Sequence, residues 1–162
     1  MADDVEHPLK FPLQFWLTTV RYLENDGTYV QTALGDVLKT IEDFYSMFQF
    51  LNQKTPFEKI KEGGYSVFKE GLEPNEESIP RVVRYFCVFP QCEYQTYLNF
   101  FLLIVSGKFE NICGIYTHKH TSKPLKIEIW SQGDIREQDV IAFFGDKIPN
   151  LKLRKKKKKN VH

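Results

Sequence analysis

The sequence predicts an α+β fold carried by a mostly antiparallel sheet. Runs rich in β-branched and aromatic residues outnumber the helical segments and follow one another at hairpin-like spacings. Three segments read as helices, each with a cap or an apolar stripe. The 162 residues are most simply one domain, long enough to bury a real core.

Residues 1–10 read as a flexible N-terminal arm, 11–153 as the domain and 154–162 as a basic tail. Within the domain, 13–23 is a strand rich in Phe, Trp, Thr, Val and Tyr. Asn25-Asp26-Gly27 is a turn signal, and a short strand begins at Tyr29 and runs to Leu34. Thr40 followed by Asp43 is a capping box for a helix to about Gln53, with Ile41, Phe44, Tyr45, Phe48 and Leu51 on one stripe. Pro56 stops it. Tyr65 to Phe68 is a strand ended by Lys69-Glu70-Gly71, where Gly71 can take a positive φ. Residues 75–80 form an acidic loop and 81–89 a buried strand. Residues 93–106 form a helix that is apolar almost all round and ends at Gly107. Strands at 112–118 and 125–130 flank a hairpin loop. Asp134 is placed to cap a last helix, 135–144, and 151–153 forms a short final strand.

Composition narrows the function. Charged residues at 27% and hydrophobic residues at 42% describe a soluble globular chain, and no apolar run is long enough to span a membrane. Aromatics reach 15%, more than packing needs, so some rings are available to a surface. Cys87, Cys92 and Cys113 have neither disulfide nor zinc spacing, which points to reduced thiols in the cytosol or nucleus. Six of the 22 basic residues fall in 154–159. Without them 16 basic residues face 21 acidic ones, a net charge of −5, so any anion site in the body is local. No Gly-rich phosphate loop, zinc-protease motif or nucleophile motif occurs, and no cofactor or metal is expected. A non-enzymatic monomer is the expectation.

The run Gly63-Gly64-Tyr65-Ser66-Val67-Phe68-Lys69-Glu70-Gly71-Leu72-Glu73-Pro74 resembles "YSLFKDGIEPMWED" of the eukaryotic translation initiation factor 4E family, the messenger-RNA cap-binding proteins. Weaker matches follow in the same order: Tyr29-Val30-Gln31, Ile41 to Tyr45, Tyr97-Leu98 through Gly107, Cys113-Gly114 and Lys126 to Trp130. Together they cover about residues 8–150. The resemblance implies a curved antiparallel sheet with helices on its convex back and a cap pocket in its concave face. Its partners would be capped mRNA and a scaffold or repressor protein bearing a YxxxxLΦ helix. It implies a role in translation initiation in the cytoplasm, and the lysine tail adds a nuclear-import reading.

The cap is a cationic N7-methylguanine joined to a triphosphate, so it calls for stacking rings, a base-reading carboxylate and phosphate-holding cations. By resemblance, Tyr29 is the first stacking ring and Trp130 the methyl contact. Glu76 or Glu77 is the carboxylate. Arg84 and Lys126 hold phosphates, and a third phosphate position falls among His118, Lys119 and His120, where the family has Arg. The second stacking Trp is missing: Glu73-Pro74-Asn75-Glu76-Glu77 stands in its loop, and no aromatic occurs between Phe68 and Tyr85. That departure supports a rival reading, a fold relative with weak or lost cap binding that acts as an interaction module or translational repressor. The partner groove would comprise Pro12, Ile41, Tyr45, Leu98, Asn99 and Leu102, with Tyr45 replacing a Trp and Asn99 an acidic residue. His7-Pro8-Leu9 and Phe11-Pro12-Leu13 both resemble the family's "HPL" lead into its first strand.

Overall fold

The computed structural model describes residues 6–23 and 26–156. Seven strands form one curved antiparallel sheet: β1 (Pro8–Leu23), β2 (Asp26–Thr40), β3 (Gly64–Lys69), β4 (Val82–Phe89), β5 (Ile112–His118), β6 (Leu125–Gln132) and β7 (Arg154–Lys155). Their order across the sheet is β2-β1-β3-β5-β6-β4-β7. Three helices pack on one face: α1 (Ile41–Lys54), α2 (Tyr94–Val105) and α3 (Glu137–Phe144). The other face is open.

Alternation along each strand separates the two faces. Leu13, Phe15, Val67, Ile115, Ile127 and Ile129 point under the helices and are fully buried. Phe15 stacks on Phe44 of α1 at 5.7 Å and meets Phe101 of α2 edge-on at 6.0 Å. Thr40 caps α1 as its sequence predicts, accepting from the Asp43 N–H at 3.0 Å. Phe100 of α2 lies 4.8 Å from Phe144 of α3, while Phe48 of α1 meets Phe101 on the other side. Helix α2 is therefore apolar nearly all round because the sheet and both other helices cover it. Its less buried apolar residues are Tyr94, Leu98 and Leu102.

Several boundaries differ from the sequence reading. Pro8 to Lys10, assigned to the arm, belong to β1. The Ile41 N–H donates to the His7 carbonyl at 2.8 Å, and the His7 N–H donates to the Glu42 carboxylate, so this segment is tied to the start of α1. Strand β2 extends to Thr40, well past Leu34, because it pairs with β1 along most of its length. Register shifts near Leu13 interrupt the alternation, and the Gln14 side-chain amide donates there to the Leu34 and Gly35 carbonyls. Part of the Asn25-Asp26-Gly27 turn and residues 1–5 and 157–162 lie outside the described residues.

Asp134 does not cap α3. Its carboxylate accepts from Lys155 Nζ at 2.7 Å, and α3 begins later with no side-chain cap. The last strand is Arg154–Lys155, not 151–153, and pairs with Phe86 and Tyr85 of β4. The first two residues assigned to the tail are thus part of the sheet.

Under the open face a second cluster joins Phe68, Ile79, Cys113, Tyr116 and Trp130. Phe68 meets Trp130 edge-on at 5.2 Å because Gly114 leaves room for its ring. A Cβ on Gly114 would stand 2.2 Å from the Phe68 ring. Gly114→Ala is expected to lower stability by about 1–3 kcal/mol through forced repacking. Denaturant unfolding measures this, and a loss within error of zero would show that Phe68 has a second place to go.

Candidate functional site

The open face is organised around Glu128 of β6. In the run Lys126-Ile127-Glu128-Ile129-Trp130, strand alternation sends Ile127 and Ile129 to the core and Lys126, Glu128 and Trp130 to the open face. Glu128 is fully buried. Its Oε1 accepts from Arg84 Nε at 2.6 Å and from the Trp130 indole N–H at 3.1 Å. His118 Nε2 stands 3.4 Å from Oε2, which has no hydrogen-bond partner among the described residues. Burial pushes the carboxyl up, but the His118 ring and the Arg84 guanidinium outweigh it and hold the group down to about 2.

Arg84 reaches from β4 across this carboxylate. Its second arm pairs with Glu76, which a short 3-10 turn at Glu76–Ser78 holds over the site. The guanidinium lies 4.7 Å from the Trp130 ring centre. Burial opposes its charge, and Glu128 and Glu76 together raise its pKa further.

The expected site residues divide into those gathered on this face and those that are not. Tyr29 is presented on β2, 47% exposed, with its ring edge-on to His118 at 5.9 Å. Lys126 lies on the same face, with its ammonium 4.9 Å from the Phe86 ring centre. Glu76 and Glu77 are both exposed, and Glu76 is the one engaged by Arg84. Trp130 belongs to the floor: it is 2% exposed, so its ring is not offered as an open surface. Lys119 is turned away. It borders a recess with Phe57 and Tyr97 on the helical side, and its Nζ donates to the Lys123 and His120 carbonyls. Period-two alternation explains this, because His118 takes the open face and its neighbour takes the other. His120 is half-buried, and its carbonyl accepts from Lys119 Nζ at 3.4 Å.

Sequence reasoning missed two members. Glu128 was legible as the one acidic residue in register with Lys126 and Trp130. Lys156, just beyond β7, donates its backbone N–H to the Arg84 carbonyl at 2.7 Å and borders a recess of about 530 Å³ with Glu76 and Arg84. Nothing in a run of lysines singles it out.

On the helical side, a recess of about 450 Å³ is lined by Pro8, Ile41, Tyr45, Leu102, Val105 and Phe143, among others. Ile41, Tyr45 and Leu102 are thus brought together as expected. Pro12 is not among them; its carbonyl accepts from the Glu70 N–H at 2.9 Å, and Pro8 takes the place by the groove. Leu98 is half-buried against the core and does not line the recess. Asn99 is buried, and its amide oxygen accepts from Gln95 at 3.3 Å. No group of three or more potential metal ligands occurs among the described residues.

The depressed Glu128 carboxyl yields a signed expectation. A group at about 2 in the fold and 4.5 by its ordinary value stabilises the fold above pH 4.5, and this contribution is lost as pH falls toward 2. It is worth on the order of 3 kcal/mol. Glu128→Gln should lower stability at pH 7 and flatten the stability profile between pH 4.5 and 2.5 relative to the native chain. Parallel profiles from urea titrations across that range would exclude an ionised, paired Glu128.

The sequence model of the family described as Eukaryotic initiation factor 4E matches residues 8–162. Comparison with curated protein sequences gives no match. Among solved structures, C. elegans eIF4E-3 in complex with the 4E-binding protein Mextli and a cap analog superposes with a TM-score of 0.71 at 22% identity, covering 94% of this chain and 92% of that one. Ascaris suum eIF4E-3 with m7G cap gives 0.72 at 22% identity, covering 93% and 91%. Schistosome eIF4E with m7GpppG and 4E-BP gives 0.65 at 20% identity, covering 89% and 81%. At these identities the superpositions speak for the fold, and the match over nearly the whole sequence decides the family: this chain belongs to the eukaryotic initiation factor 4E family.

Proposed function

We propose that this chain binds the 7-methylguanosine cap of mRNA on its open face and a partner helix in the groove beside α1 and α2, so recruiting capped mRNA for translation initiation in the cytoplasm. One observation carries the reading: an exposed ring, a carboxylate and cations share one face of a sheet of this family, with Tyr29, Glu76, Arg84 and Lys126 all directed there. Tyr29 supplies the stacking surface for a cationic base. Glu76 or Glu77 accepts the guanine edge donors, Glu77 being the carboxylate not held by Arg84. Binding, not catalysis, is the role.

A second reading rests on an observation of its own. His118 is the ring beside Tyr29, and Arg84 is already paired with two carboxylates. Both features weaken a cap site and favour a relative that acts through its helix groove, as an interaction module or translational repressor.

Retention on immobilised m7GTP, with elution by m7GTP and not by GTP, is the expected outcome for the first reading. Tyr29→Ala should then reduce affinity by about 1–3 kcal/mol, the range for one aromatic–base stack. Elution by either nucleotide alike would favour the second reading. For the groove, Tyr45→Ala should weaken binding of a YxxxxLΦ peptide in calorimetry while the melting temperature stays within a few degrees. Unchanged peptide affinity would place the partner elsewhere.

A further inference from the structure

We propose that the outer edge of β4 at Val88 is a docking site for an extended acidic peptide of a partner protein, which adds to the sheet as a short strand. The site is separate from the cap-reading residues of the open face and from the helix groove, and it does not rest on the cap reading.

The sheet leaves a rung unmade at this place. The Lys156 N–H donates to the Arg84 carbonyl and Phe86 pairs with Arg154, so alternate residues of β4 turn their backbone groups outward. Val88 is next in that series and would meet Lys152. No backbone hydrogen bond joins the two among the described residues. The chain that leads into β7 is held off this edge. Ile148, Leu151 and Leu153 anchor it in the core, and Asn150 between them has a left-handed φ of 61°. A recess of about 470 Å³ lies between this segment and β4, and Val88 is 45% exposed beside it.

The lining of the recess selects its occupant. An outward N–H and C=O on one residue are matched by another extended backbone. Phe86, Val88 and Phe89 give that backbone an apolar wall for its side chains. The charged lining residues are Lys152 and Arg154, with no acidic residue among them. Both are exposed, and neither makes an ion pair among the described residues. These cations attract carboxylates and repel a second copy of the same edge. A phosphate backbone presents acceptors only, so it would leave the Val88 carbonyl without a donor.

Amide NMR titration of the full chain tests the proposal with three probes: an end-blocked Glu-Val-Glu-Val-Glu-Val peptide, its Lys-Val counterpart and hexauridylate. The acidic peptide is expected to shift the Val88 and Lys152 amides and to slow hydrogen exchange at Val88, and the basic peptide to leave them unmoved. Lys152→Glu combined with Arg154→Glu should weaken the acidic peptide about tenfold, the worth of two exposed ion pairs, and admit the basic one. Val88→Pro removes a donor that no sheet neighbour uses, so the fold should hold while the acidic peptide is lost. The charge reversal keeps the test decisive if Val88→Pro does not fold. Amides unmoved by the acidic peptide overturn the proposal, as does undiminished binding to the charge-reversed chain. Hexauridylate shifting these amides in the peptide's stead would assign the recess to RNA. Exchange at Val88 that slows with protein concentration alone would assign it to a second copy, and either result overturns the proposal.

Discussion

A carboxylate with no exposure to solvent lies beneath the open face of this sheet, and its ion pair constrains what surrounds it. Burying a charge costs several kcal/mol unless it is paired and hydrogen-bonded. Glu128 meets that requirement with Arg84 Nε and the Trp130 indole on one oxygen and with His118 near the other. Each partner is oriented in return. Trp130 is held in the floor against Phe68 and Tyr116, Arg84 is drawn across its ring, and His118 is set between Glu128 and Tyr29. Gly114 is part of the same arrangement, because the Phe68 ring occupies the space where a side chain would be.

This arrangement has a consequence for binding. The guanidinium on this face is already paired with two carboxylates. Tyr29 is the exposed ring, and the residue beside it is an imidazole. Outside residues 154–159 the chain carries a net charge of −5, so positive charge on this face is local. The helix groove is independent of this chemistry, being formed by Pro8, Ile41, Tyr45 and Leu102 on the opposite face.

Much of this was legible in the sequence. The Thr40 cap, the stripe of α1 and the turn at Gly71, which does take a positive φ, follow from local chemistry. The face of Lys126 and Trp130 follows from strand alternation. What was not legible depends on pairing across the sheet. The bulged start of β1 hides its alternation, so Pro8 read as arm and Pro12 as groove. Asp134 had the spacing of a helix cap but found Lys155, a partner 21 residues away. Lys119 looked equivalent to its histidine neighbours until the strand ending at His118 set its direction. Lys156 became distinguishable from the other tail lysines only when β7 joined β4.

The central claim, that an ionised Glu128 organises the open face, is tested most directly by carbon-13 NMR titration of the glutamate side-chain carboxyls, with the Glu128 signal assigned by its absence in Glu128→Gln. The account predicts a midpoint near 2 for that signal. A midpoint at or above the ordinary 4.5 would mean that the carboxyl is neutral when buried, and the pairing that fixes Arg84, His118 and Trp130 would not hold.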